Sequence, residues 1–156
     1  MIQRIQSVFL VLAALLAAFT FAFPLASFFS ETVAMHLFIT GPMPLTPVSD
    51  TVIINRWFIY TLVFLNVGSG FLALVAMFQY KNRLHQLKLV KIALLMNVVL
   101  VAVLFVLTDF IKKKLSVTPD YDIAIILPVI GLILLLLAQR GIKKDEEKVK
   151  STSRIR

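Results

Sequence analysis

Any chemistry this chain performs must come from a short set of side chains. Its 156 residues include two histidines, His36 and His85, and no cysteine, which removes thiolate metal sites, thiol nucleophiles and disulfides from consideration. The acids Glu31, Asp50, Asp109, Asp120 and Asp122 lie in or beside non-apolar stretches, where two of them together would be the raw material of general acid–base catalysis. No pocket motif or nucleophile accompanies them, so no catalytic residue is assigned and the chain is read as a non-enzyme. No cofactor or metal site is expected either. No Asp, Glu, Lys, Arg or His interrupts the middle of an apolar run, which argues against ion-coupled transport. Two amides do lie inside such runs, Asn66 and Asn97. They would serve either a solute path or interhelical hydrogen bonds, the latter worth about 1 kcal/mol each.

Small residues complete the set. Gly68, Ser69, Gly70 and Ala73 adjoin Asn66, and Ala14, Ala18 and Ala22 recur at four-residue spacing. Stripes of this kind let helix backbones approach closely. Ala14, Ala18, Ala22, Asn66, Gly70 and Asn97 are therefore the expected helix-packing residues.

The elements that must position these residues are membrane spans. The chain is 60% hydrophobic with a mean hydropathy of +0.94, well above the roughly 45–50% apolar content of soluble domains. Its apolar residues gather into four runs, 7–29, 57–78, 92–111 and 123–138. At about 1.5 Å per residue, runs near 20 residues cross a bilayer core of about 30 Å. The first is longer than the roughly 7–15 residues of a signal-peptide core and is read as a retained span. Trp57, Tyr60 and Tyr80 flank the second run where interfacial aromatics belong. The fourth is short and carries Pro128, which predicts a kink. The expected fold is an all-α integral membrane protein, a four-transmembrane-helix bundle forming one domain.

Charge orients the bundle. With both termini inside, Lys81, Arg83, Lys88, Lys91 and the basic tail 139–156 face the cytoplasm, and only Arg56 and Lys112, Lys113 and Lys114 face out. The positive-inside rule accounts for the net charge of +8, so no direct DNA binding is inferred. Asp109 stands at helical spacing from the outer lysines and can pair with them. His36 and His85 fall on opposite sides and cannot share a metal. The outer segment 30–56 has a centre rich in Pro and Gly, with β-branched flanks at 32–40 and 51–55, which predicts a small extracytoplasmic β-hairpin. The tail carries Glu146 and Lys150 at i,i+4, so the last helix is expected to continue past the membrane, weakened at Gly141 by up to about 1 kcal/mol.

Two terminal motifs carry a resemblance. The start Met1-Ile2-Gln3-Arg4-Ile5-Gln6-Ser7-Val8, the run Arg140-Gly141-Ile142-Lys143-Lys144-Asp145-Glu146 and the closing Ser151 and Arg154-Ile155-Arg156 resemble a small bacterial membrane family catalogued only as a domain of unknown function. Gln139 and Gly141 depart from the Asn and Ala of that pattern. The resemblance implies four spans and an inner-membrane location and supplies no catalytic residues. Both motifs fall at the expected cytoplasmic surface, and this makes Arg4, Arg140, Lys143, Lys144, Asp145 and Glu146 the expected partner-binding residues. The partners expected are membrane lipids, other integral membrane subunits and a cytoplasmic protein or ribosome at the basic face. The expected function is an accessory or structural subunit of an inner-membrane complex, in membrane-protein biogenesis or export; the alternative is a small-solute transporter or channel.

Overall fold

The chain opens as a helix, α1 (Ile2–Phe19), because residues 5–19 are apolar and free of Pro and Gly. The computed structural model describes residues 2–29, 34–45 and 54–153, and the side chains of 5–29, 34–45 and 54–149. The next helices follow the remaining apolar runs: α2 (Arg56–Phe78), α3 (Arg83–Leu115) and α4 (Ile126–Ser153), the last entered through a short 3-10 turn at Ile123–Ile125. The segments around α2, α3 and α4 are long and apolar enough to cross a membrane. Asn55 starts α2 by accepting from the Trp57 N–H, and Asn82 starts α3 by accepting from the His85 N–H, each satisfying a donor that the first helical turn leaves free. Ser116, at φ 55°, ends α3 in the left-handed conformation.

The first apolar run does not form one helix over 7–29. The helix stops at Phe19, and the chain tightens through bonds from Phe21 N to Ala18 O and from Ala22 N to Phe19 O. Pro24 disfavours helical backbone in the residue before it, and residues 26–29 leave as strand β1 (Ala26–Phe29). Ala22 therefore sits in a turn and is exposed.

Strands β2 (Ala34–Phe38), β3 (Gly41–Pro44) and β4 (Pro119–Tyr121) complete an antiparallel sheet in the order β3-β2-β1-β4. The expected hairpin is thus part of a larger sheet, and its second strand lies in the Pro-rich centre. Residues 51–53 lie outside the described residues, and Ile54 and Asn55 are not strand. Gly41, at φ +128°, closes the two-residue connection after Phe38, a conformation that a side chain strains.

Two more expectations change. Residues 83–91 are the first turns of α3 and not a loop, because Gln86 and Val90 are buried while Lys88 and Lys91 point outward. Pro128 falls in the first turn of α4, where its missing N–H has no partner to lose, so the sequence argument for a kink no longer applies. The helical tail holds: α4 runs on to Ser153 through Gly141.

The core has two centres. At the sheet end, Ala26, Phe28, Met35 and Leu37 pack with Leu62, Leu65, Leu100, Leu104 and Leu107. Toward the other end, Leu10, Ala13 and Ala14 of α1 pack with Ala73, Ala76, Val90, Leu135, Ala138 and Ile142. From Ala124 in the 3-10 turn, the buried positions continue along α4 as Pro128, Gly131, Leu135, Ala138, Ile142 and Asp145. That alternating four-three spacing is the seam of a left-handed helix pairing, and it continues without a break into the charged tail.

Candidate functional site

The two terminal motifs meet. Gln6, in the second turn of α1, donates from Nε2 to Asp145 Oδ2 on α4 at 2.7 Å, and both residues are buried. Gly141 lies one turn before Asp145 on the same face, and a Cβ there would stand 2.8 Å from Gln6 Cγ. The glycine that weakens the tail on sequence grounds is what lets Gln6 lie flat across α4 and reach Asp145. From the start of α3, Arg83 donates Nη1 to the Asp145 main-chain oxygen at 3.1 Å. Three helices thereby meet at one residue, Gln6 at the carboxylate of Asp145 and Arg83 at its main-chain carbonyl.

Of the expected partner-binding residues, Asp145 is thus turned inward. Arg140, Lys143 and Lys144 are exposed beside the pinned residue, and Glu146 is half-buried. Lys143 reaches Glu147 at 3.9 Å, an exposed pair of small energetic consequence. The side chains of Arg4 and Lys150, and all of residues 154–156, lie outside the described residues. Gln6 and Arg83 were not singled out from the sequence. The signal for Gln6 was its place in the first motif, a polar residue opening an apolar helix.

The expected packing residues divide. Asn66 donates Nδ2 to the Ala17 carbonyl at 2.8 Å, tying α2 to α1, and Ser69 Oγ donates to the Asn66 carbonyl at 3.0 Å. A Cβ on Gly70 would stand 3.1 Å from Ala17 Cβ and 3.9 Å from Ala14 Cα, so this is where the two helices approach most closely through small residues. Ala17, which the four-residue spacing passes over, takes the central place, and Ala18 is exposed on the wall of a groove of about 330 Å³ between α1 and α2. Asn97 is buried on α3 with its Nδ2 near Gly131, and its Oδ1 has no hydrogen-bond partner.

At the sheet end, a third constellation joins residues that the sequence keeps apart. Ser27 Oγ donates to Asp122 Oδ2 and lies 2.8 Å from His36 Nδ1. Because the only hydroxyl proton goes to the carboxylate, His36 must donate from Nδ1, which fixes its neutral tautomer. In a hydrolytic relay the imidazole stands between hydroxyl and carboxylate and takes the serine proton. Here the buried serine stands between them, and its proton points at the carboxylate. The cluster ties β1 and β2 to the entrance of α4. His85 lies in the first turn of α3, at the other end of the bundle. Asp109 pairs with Lys113 at 2.7 Å, as its spacing predicts, and no group of three or more metal-ligating side chains occurs among the described residues.

Comparison with curated proteins finds no match. The match to a protein family covers residues 2–155, so that both terminal motifs, the helices and the sheet fall within it. The chain belongs to the family described as domain of unknown function DUF4293.

Proposed function

We propose that the protein is a non-enzymatic accessory or structural subunit of a larger bacterial inner-membrane complex, crossing the membrane four times with both termini in the cytoplasm. The supporting observation is the joining of the two terminal motifs at Gln6 and Asp145, which gathers Arg140, Lys143 and Lys144 onto one rigid surface. A membrane protein whose distinguishing residues lie at its cytoplasmic end, with no ionisable group in the middle of its apolar segments, is built for recognition there more than for carrying charge across. The small-residue contacts of Ala14, Ala17 and Gly70 brace that surface through α1 and α2.

Gentle detergent extraction and pull-down of the tagged chain tests this reading. Stoichiometric partners should co-purify and should be lost from Lys143→Glu/Lys144→Glu while the chain stays folded. Recovery of the chain alone and monomeric would count against it. A small-solute transporter is the second reading, favoured by one observation, the unpartnered Asn97 Oδ1 in the bundle interior. Asn66→Leu and Asn97→Leu should then abolish solute flux in vesicles, and unchanged flux in both would remove that reading.

A further inference from the structure

The sheet does not stand beyond the ends of the helices. Asn66 is the middle of α2, and its amide meets the carbonyl of Ala17, two residues before α1 ends. At the other end, Gln6 meets Asp145, past the apolar part of α4, so part of the roughly 27 Å length of α1 is used there. From the middle of α2 to its sheet-end terminus, α1 is absent. Its place is taken by the sheet, whose inner face of Phe28, Met35 and Leu37 packs with Leu62 and Leu65 of α2 and Leu100 and Leu104 of α3.

The outward face is the opposite of what a solvated sheet presents. Antiparallel sheets with one free face ordinarily carry polar residues there. On this face Phe29 is 56% exposed and Met43 60%, and Phe38 is partly exposed, with His36 between the two phenylalanine rings. The imidazole is accommodated because Ser27 and, behind it, Asp122 take up its Nδ1. Phe19 at the end of α1 and Phe23 in the turn before β1 are exposed as well.

The free edge has been prepared for the same surroundings. Leu45 N bonds to Ala34 O, and the register pairs Met35 with Pro44 and Leu37 with Pro42. Antiparallel pairs alternate between bonded and non-bonded, so Pro42 and Pro44 hold the positions whose nitrogens would point away from β2. They have no N–H. The β3 edge offers an added strand only the carbonyls of Pro42 and Pro44 and no donor, which disfavours β-augmentation there, and it leaves no orphan N–H on β3 to be penalised in a low-dielectric medium.

We propose that this outward face is a lipid contact: the sheet sits in the outer leaflet at the boundary of acyl chains and headgroups, with Phe29, Phe38 and Met43 toward the chains. The proposal rests on the membrane-spanning reading above. Asp120, on β4 and by its pairing with Ser27 on this same face, and the lysines ending α3 mark the side that meets the headgroups and water.

Single-tryptophan variants test it in the full-length chain reconstituted into phosphatidylcholine–phosphatidylglycerol vesicles. On a Trp57→Phe background, Phe29→Trp and Met43→Trp should be quenched by lipids brominated near the carbonyl end of their chains and spared by aqueous iodide. Phe64→Trp, on the exposed side of α2, serves as the reference and should be quenched by mid-chain bromine. Loss of quenching at all three positions would overturn the spanning reading. Quenching at Phe64→Trp alone, with iodide reaching positions 29 and 43, would overturn the lipid contact and leave the spanning reading standing. Shielding of positions 29 and 43 from both quenchers would overturn it in favour of a protein partner, a second copy included. As the chain has no cysteine, Met43→Cys provides a second probe: a water-soluble maleimide should label it far more slowly than Lys113→Cys, and equal rates would overturn the proposal.

Discussion

Gln6, Gly141 and Asp145 behave as one unit, and their energetics can be separated by substitution. Gly141→Ala would ordinarily strengthen a helix by up to about 1 kcal/mol, but here the new methyl meets Gln6 Cγ at 2.8 Å. The expected result is a net loss of about 1–3 kcal/mol, typical of overpacking, measured by unfolding in mixed micelles. Gln6→Ala/Gly141→Ala should recover part of that loss, because the clash goes with the glutamine side chain. Asp145→Leu leaves a buried amide without its acceptor and should cost about 1–3 kcal/mol. The two buried asparagines of the apolar helices, Asn66 and Asn97, should respond oppositely to replacement by leucine, which has the same number of side-chain heavy atoms. Asn66→Leu removes the bond to Ala17 and should destabilise by about 1 kcal/mol, whereas Asn97→Leu removes an orphaned acceptor and should be neutral or stabilising. Equal losses in both would show that Asn97 has a partner in the folded protein.

At the scale of elements, the hairpin between β2 and β3 depends on the positive φ of Gly41, and Ile59 Cδ1 lies 3.1 Å from the position of an added Cβ. Gly41→Ala should therefore lower stability by about 1–3 kcal/mol, with the loss read as a lowered Tm and a weakened β signal in circular dichroism. The helices over 56–78 and 126–138 were legible in the sequence because each is an apolar run with clear boundaries, and the continuation of the last one was legible in the i,i+4 spacing of Glu146 and Lys150. The sheet was not. Ala26-Ser27-Phe28-Phe29 continues the apolarity of α1, and a short buried strand and a buried helix segment look alike by periodicity. Pro24 was the one local signal, and β4 is brought to β1 only by tertiary structure. The terminal site was half legible: the motifs marked the right region, but assigning Asp145 to a partner missed that Gly141 opens the way for Gln6 to reach it. No sequence spacing links residues 139 positions apart.

For the whole molecule, length and charge agree on one arrangement. α3 is 33 residues long, about 50 Å, against a bilayer core of about 30 Å. In the proposed arrangement its basic first turns and the tail of α4 stand clear of the lipid together, joined by Arg83 and Asp145. With both termini cytoplasmic, an impermeant maleimide applied to intact spheroplasts should label Lys113→Cys and spare Lys143→Cys until the membrane is opened. Labelling of Lys143→Cys in intact spheroplasts would reverse the orientation. In that orientation Lys112, Lys113 and Lys114 would break the usual asymmetry, and the ion pair of Lys113 with Asp109 offsets part of their charge.

The bond between Gln6 and Asp145 also has a bearing on biosynthesis. Its donor precedes its acceptor by 139 residues, so Gln6 has no match from α4 until synthesis has passed Asp145. Contacts of such long sequence separation form late. A chain cut short before Asp145 would leave the Gln6 amide without this acceptor. The contact that joins α1 to α4 thus separates a chain made through Asp145 from one that stops before it.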